Sequence, residues 1–145
     1  SSTWIRELLE AGEVEHAAEL LGHVPTMSGL VVHGFKRGRE LGYPTANLAP
    51  DAEGFIPGDG VYAGWLVDGG VRYPAAISVG DNPTFEGVRQ KQVEAYVLDR
   101  DLDLYDHVVG IEFAHRVRGM EKFDGVDALI AQMGLDVERV RELVA

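Results

Sequence analysis

The chain has 145 residues, 46% hydrophobic and 26% charged, which describes one folded, soluble domain with a core of its own. Its formal charge of -11 repels nucleic acid and anionic membrane, no apolar run reaches the length of a membrane span, and the amino terminus lacks the basic and apolar regions of a signal peptide. Cysteine is absent, so disulfide frameworks, thiolate metal sites and thiol enzymes are excluded, in keeping with a reducing cytoplasm.

Residues 1–22 read as two short helices. Ser2 or Thr3 caps the first, Ile5, Leu8 and Leu9 form its apolar stripe, and Gly12 closes it. Val14, Ala17, Ala18 and Leu21 make the stripe of the second, which Gly22 terminates. From Pro25 onward the texture changes to short alternating or apolar runs punctuated by glycine and proline, the pattern of a small antiparallel sheet or barrel. Strands are expected over Met27–Gly34, Thr45–Leu48, Gly60–Val67, Val71–Val79, Lys91–Leu98 and Val108–Val117, with Asp68, Gly69 and Gly70 turning a hairpin. Ala49–Asp59 and Gly80–Gln90 are rich in Gly, Pro, Asp and Asn and read as long connections that could cover a site. The chain ends in a helix capped by Asp124, whose Val126, Leu129, Ile130, Met133, Val137, Val140 and Val144 recur at helical spacing as a packing stripe. Gly134 inside it predicts a bend or break.

Chemistry concentrates in Gly38–Leu48, GRELGYPTANL. Lys36, Arg37 and Arg39 against Glu40 make a local +2 in a chain of -11, beside glycines that let the backbone bend. Pro44 then launches an extended segment in which period two sets the Thr45 hydroxyl and Asn47 amide on one face. Two neutral oxygen ligands beside a basic loop suggest a magnesium nucleotide site, since Mg²⁺ takes oxygen ligands and travels with phosphates. Composition alone favours the plainer alternative, a surface turn leading into a strand with a polar outer face. In Lys91–Leu98, alternation puts Gln92, Glu94 and Tyr96 on one face and Val93, Ala95 and Val97 on the other. Pattern alone favours a solvent-facing Glu94; the other reading is a general base accepting the proton of an attacking alcohol. There is no GxxxxGK[ST] or GxGxxG phosphate loop, no HExxH spacing among the five histidines and no GxSxG elbow.

Taken in order, VVHG, GRELGYPTANL, GVYAGW, ISVGDNPTF, VEAYVLDRDLDLY and VRGMEKFD resemble the riboflavin kinase module of bacterial bifunctional FAD synthetases, normally the carboxy-terminal half of a longer protein. The resemblance runs from about Gly22 to the end. It implies a six-stranded antiparallel Greek-key barrel with a helix beside it, and transfer of the ATP γ-phosphoryl group to the riboflavin 5′-hydroxyl to give FMN and ADP. It assigns Thr45 and Asn47 to Mg²⁺ and the phosphates, and Glu94 to deprotonation of the hydroxyl. Gly34, Lys36, Arg37, Gly38, Arg39 and Gly42 then form a loop over the phosphates, Asn82, Pro83 and Phe85 a second nucleotide-side segment, and Arg118, Glu121 and Phe123 a flavin-side group. SSTWIR looks like the closing motif of the adenylyltransferase half. Residues 1–22 are accordingly expected to be a helical remnant or linker from that half and 23–145 the kinase domain. The HxGH-type motif of the adenylyltransferase half is absent, so this chain is not expected to make FAD alone. Assembly of the intact protein into an oligomer through this half stays open, as does a barrel that binds flavin or nucleotide without turnover. Two departures stand out: GHVPTMSG lacks the usual arginine and proline, which is expected to loosen the way into the barrel, and Asp106 follows Tyr105 where the family commonly has glycine, which puts the tight turn there in doubt.

Overall fold

The computed structural model describes residues 2–33, 41–83 and 89–145, and no side chain at 82, 83, 89 or 90. The elements are α1 (Ser2–Glu10), α2 (Val14–Leu21), β1 (Thr26–Val32), β2 (Ala46–Leu48), β3 (Glu53–Gly54), β4 (Gly60–Asp68), β5 (Val71–Pro83), β6 (Arg89–Val97), β7 (Val108–Arg118) and α3 (Val126–Val144). All strand pairings among them are antiparallel. The hydrogen-bonded circuit β1-β2-β6-β5-β4-β7 returns to β1, so six strands close a barrel and β3 is a short appendage on β1. β4, β5 and β6 follow one another as hairpins and β7 comes back beside β4, which is the Greek-key connection.

Closure explains why the alternating pattern was so legible. Inward positions such as Val31, Leu66, Ile77, Val93, Ala95, Ile111 and Phe113 fill the barrel, while alternate residues face outward. The β4–β5 turn is the expected one: Asp68 pairs with Val71 across Gly69 and Gly70, at φ of 57° and 83°. Gly64 sits at a register shift between β4 and β7, where a Cβ would overlap the Glu112 carbonyl oxygen.

Several expectations are corrected. Ser2 and Thr3 lie inside the first turn of α1. Residues 2–22, read above as a helical remnant or linker, pack on the barrel. Leu9, Val14 and Ala17 are fully buried in the same core as the barrel strands, and the Gly58 amide donates to the Leu9 carbonyl at 2.8 Å. Arg116 adds donors to the carbonyls of Ala11 and Asp59. The way into the barrel is tied down as well, by Gly22 in the left-handed conformation and by the Phe113 amide donating to the carbonyl of buried Pro25. The long connection Ala49–Asp59 carries the two-residue strand β3, and the described ends of the other pair with each other, Gly80–Pro83 with Arg89–Gln92, as an extension of the β5–β6 hairpin. Backbone pairing overrides the poor strand propensity of Gly80 and Asp81, and Lys91 bridges Asp81 and Asp59. α3 begins after Gly125, at φ 136°, without a side-chain cap from Asp124, and runs unbroken through Gly134. A Cβ at Gly134 would stand 3.5 Å from the Tyr43 hydroxyl, an ordinary van der Waals contact, so the helix passes Tyr43 closely without needing a glycine there. The turn after Tyr105 also forms. Asp106 takes φ 69°, the conformation glycine adopts most readily, and its amide donates to Val31.

Candidate active site

α3 packs over β4, β5 and β7, with Val140 buried against Ala63 and Leu98. Further along the same helix the contact opens into a cleft of about 920 Å³ between α3 and the outer face of the barrel. That volume falls in the usual range for a bound small molecule. Leu129 and Met133 of α3 line it, so this part of the apolar stripe is the wall of a cleft and not core packing as the periodicity suggested, while Val137 lines it and also packs against the Val140 core. Tyr43 and Tyr96, in edge-to-face contact at 5.4 Å, also line it.

The polar end of the cleft is built by strand register. Asn47 of β2 and Ser78 of β5 both lie opposite Glu94 of β6, and Gln92, Glu94 and Tyr96 share the outward face because side chains alternate. Glu94 therefore faces neither bulk solvent nor the barrel interior. Burial pushes its carboxyl above the usual glutamate range. Gln92 Nε2 donates to Glu94 Oε1 at 3.0 Å and approaches Asn47 Oδ1 at 3.4 Å. Asn47 is only 5% exposed, and its Nδ2 reaches the Thr45 carbonyl and hydroxyl oxygens at 3.4 and 3.5 Å. Thr45 and Glu94, far apart in the chain, thus both line the cleft, with Asn47 buried beside them.

Thr45 also lines a second, smaller cavity of about 40 Å³, on the side of Pro44, Arg100, Asp101, Leu102 and Tyr105. It stands at the wall between the two. Sequence reasoning missed this pocket, because the stretch Asp99–Tyr105 served only to carry the resemblance and was given no site role. It also missed Tyr43, Gln92 and Asp136.

Arg118, Glu121 and Phe123 all line the large cleft. Arg118 is not free to reach into it: its guanidinium donates to Asp136 at 2.8 to 3.0 Å and to the Gly119 carbonyl at 3.0 Å, while Gln132 donates to Asp136 at 2.9 Å. Its cation lies 5.6 Å from the Phe123 ring centre. Gly42 takes φ 91°, as a turn glycine does. Gly34, Lys36, Arg37, Gly38, Arg39 and Phe85 lie outside the described residues, and Asn82 and Pro83 are placed only as β5 backbone.

The family model described as Flavokinase: Riboflavin kinase matches residues 21–144. The chain belongs to the riboflavin kinase family. Bifunctional riboflavin kinase/FMN adenylyltransferases from Listeria monocytogenes and Bacillus subtilis are 39% and 37% identical to it over 145 and 138 residues. The matches take in 100% and 94% of this chain but 46% and 44% of theirs, so the chain spans about half the length of these curated relatives. A crystal structure of riboflavin kinase from Trypanosoma brucei aligns with TM-score 0.55 at 27% identity, over 82% of this chain and 78% of that one. A second, described as a macrolide-efflux protein from Streptococcus pneumoniae, aligns with TM-score 0.88 at 41% identity, over 97% of this chain and 46% of that one. In this riboflavin kinase family chain, no helix among the described residues is long and apolar enough to cross a membrane.

Proposed function

We propose that this chain transfers the γ-phosphoryl group of ATP to the 5′-hydroxyl of riboflavin, giving FMN and ADP. The observation that carries this is a half-buried carboxylate, Glu94, at the polar end of an apolar and aromatic cleft, one strand away from the Thr45–Asn47 pair. A flat isoalloxazine ring suits the walls made by Leu129, Met133, Tyr43 and Tyr96, and its ribityl chain then points toward Glu94. Thr45 borders both cavities, so phosphates reaching the polar end of the cleft would meet it there; the smaller cavity, at about 40 Å³, has no room for a nucleotide base.

Asn47 suits a metal: its amide is buried, yet its hydrogen bonds are long, leaving oxygen capacity unspent. Among the described residues no three His, Cys, Asp or Glu side chains cluster as a metal site of their own. Thr45 and Asn47 are neutral, so they would hold Mg²⁺ only together with nucleotide phosphates. When bound, the ion neutralises charge on the phosphates. Glu94 accepts the hydroxyl proton, its raised proton affinity suiting it to that task near neutral pH. Arg118 acts on the flavin side by holding the cleft wall, with Glu121 and Phe123 beside it.

Incubation with ATP, Mg²⁺ and riboflavin, followed by chromatography, should yield FMN. Riboflavin binding without any FMN would leave only a non-catalytic flavin-binding barrel.

A further inference from the structure

We propose that Gln92 is a positioning residue, which turns the Asn47 side-chain oxygen toward the site by bridging it to the Glu94 carboxylate. The inference rests on the kinase reading above. On β6, Gln92 faces the same way as Glu94, and its single Nε2 lies 3.0 Å from Glu94 Oε1 and 3.4 Å from Asn47 Oδ1. An ionised carboxylate only accepts hydrogen bonds, so Gln92 must turn its NH₂ toward Glu94. That same NH₂ then tolerates only the oxygen of Asn47. Nδ2 of Asn47 is left facing the Thr45 carbonyl and hydroxyl oxygens at 3.4 and 3.5 Å. Reversing the Asn47 amide would set NH₂ against NH₂ on the Gln92 side and its oxygen against the Thr45 carbonyl on the other, where the Thr45 hydroxyl alone can turn to donate.

With Gln92 donating to Glu94 and to Asn47 alike, the amide of Asn47 is held with its oxygen on the Gln92 side. An amide oxygen can ligate a hard cation and an amide NH₂ cannot, so this orientation decides whether Asn47 is a ligand at all. Asn47 Oδ1 carries two lone pairs, and Gln92 takes only one. Loosely packed surroundings would let the amide turn over; Asn47, only 5% exposed between β1 and β6, has no bulk water to replace a lost partner.

Gln92→Met keeps side-chain length and removes the donor, while Gln92→His keeps a neutral N–H donor. Calorimetry with ADP, with and without Mg²⁺ and without flavin, should show the Mg²⁺-dependent gain in ADP affinity fall about 10- to 100-fold in Gln92→Met, and less in Gln92→His. Affinity for ADP alone should not change, and riboflavin affinity, read by fluorescence quenching, should fall less than the Mg²⁺-dependent gain. An undiminished Mg²⁺ effect in Gln92→Met, or an equal fall in riboflavin affinity, overturns the proposal. If that variant fails to fold, the unsubstituted protein still answers. Nuclear Overhauser contacts should join the Asn47 NH₂ to Thr45, and contacts joining it to the Gln92 NH₂ overturn the proposal. Neither measurement needs turnover, so a protein that behaves this way yet makes no FMN would sink the kinase reading and leave the role of Gln92 standing.

Discussion

Removing Asp136 tests what holds the cleft open. Arg118, at the end of β7, and Asp136, in the middle of α3, have side chains 15% and 7% exposed, and the guanidinium meets the carboxylate through Nε and Nη2 at 2.8 to 3.0 Å. Asp136→Leu deletes every charged acceptor of Arg118 and leaves it the Gly119 carbonyl. An uncompensated buried charge costs about 3–5 kcal/mol. For a domain near this size that is a fall in Tm of about 10–15 °C. Asp136→Asn keeps one acceptor and should lose less, about 1.5–3 kcal/mol, the worth of hydrogen bonds to a charged group. The double replacement Arg118→Met with Asp136→Leu removes both charges at similar volume and should return to within about 1 kcal/mol of the original or exceed it. Urea denaturation of the four proteins gives the coupling energy directly. Riboflavin titration of the same set separates the two roles open to Arg118. If its donors are spent on the helix, the double variant binds riboflavin almost normally. A loss of less than about 1 kcal/mol in Asp136→Leu would show that the pair does not hold α3. A stable double variant blind to riboflavin would show that Arg118 touches the flavin.

Glu94→Gln should lower kcat by about 10²- to 10⁴-fold in a coupled FMN assay while riboflavin affinity is kept. It should also be more stable than the parent at neutral pH. The Glu94 carboxyl is raised by burial, so the folded protein loses stability as pH climbs from the ordinary glutamate range through the raised value, and glutamine, which cannot ionise, does not. Denaturation in acid and at neutral pH should show the gap open only on the neutral side; a gap independent of pH would deny that the carboxylate is strained by burial. Asp106→Gly removes an aspartate from φ 69° and should gain about 0.5–1 kcal/mol, the left-handed cost less the added freedom of the unfolded chain; a lower Tm would contradict this. Gly64→Ala forces a methyl onto the Glu112 carbonyl and should cost about 3 kcal/mol or leave the protein insoluble, whereas unchanged denaturation would mean the β4–β7 bulge yields freely.

How much of the site was legible depends on whether its signal was local. The alternation of Gln92, Glu94 and Tyr96 against Val93, Ala95 and Val97 is written in consecutive residues, and the barrel keeps it. The pairing of Thr45 with Asn47 is equally local. Gln92 was visible as a same-face neighbour of Glu94, but nothing in the sequence says that β2 brings an asparagine within reach of its amide. Asp136 looked like an ordinary polar residue of an amphipathic helix, because its partner Arg118 lies on another element. Phosphate-loop residues from Gly34 to Arg39 rest on local positive charge and the family resemblance, and lie outside the described residues.

The sequence by itself determined the antiparallel strands, their glycine-made turns and the outward carboxylate, since each is a period or a backbone conformation set by neighbouring residue types; its pattern left open sheet or closed barrel undecided, and the β1–β2 pairing closes it. Tertiary structure decided what lies opposite each face. Leu129 and Met133 carry the same helical spacing as Val140, yet they wall a cleft while Val140 is buried in the core, because the barrel surface recedes under one end of α3 and not the other. Apolar periodicity says which side of a helix avoids water; only the packed fold says whether protein or a ligand takes its place.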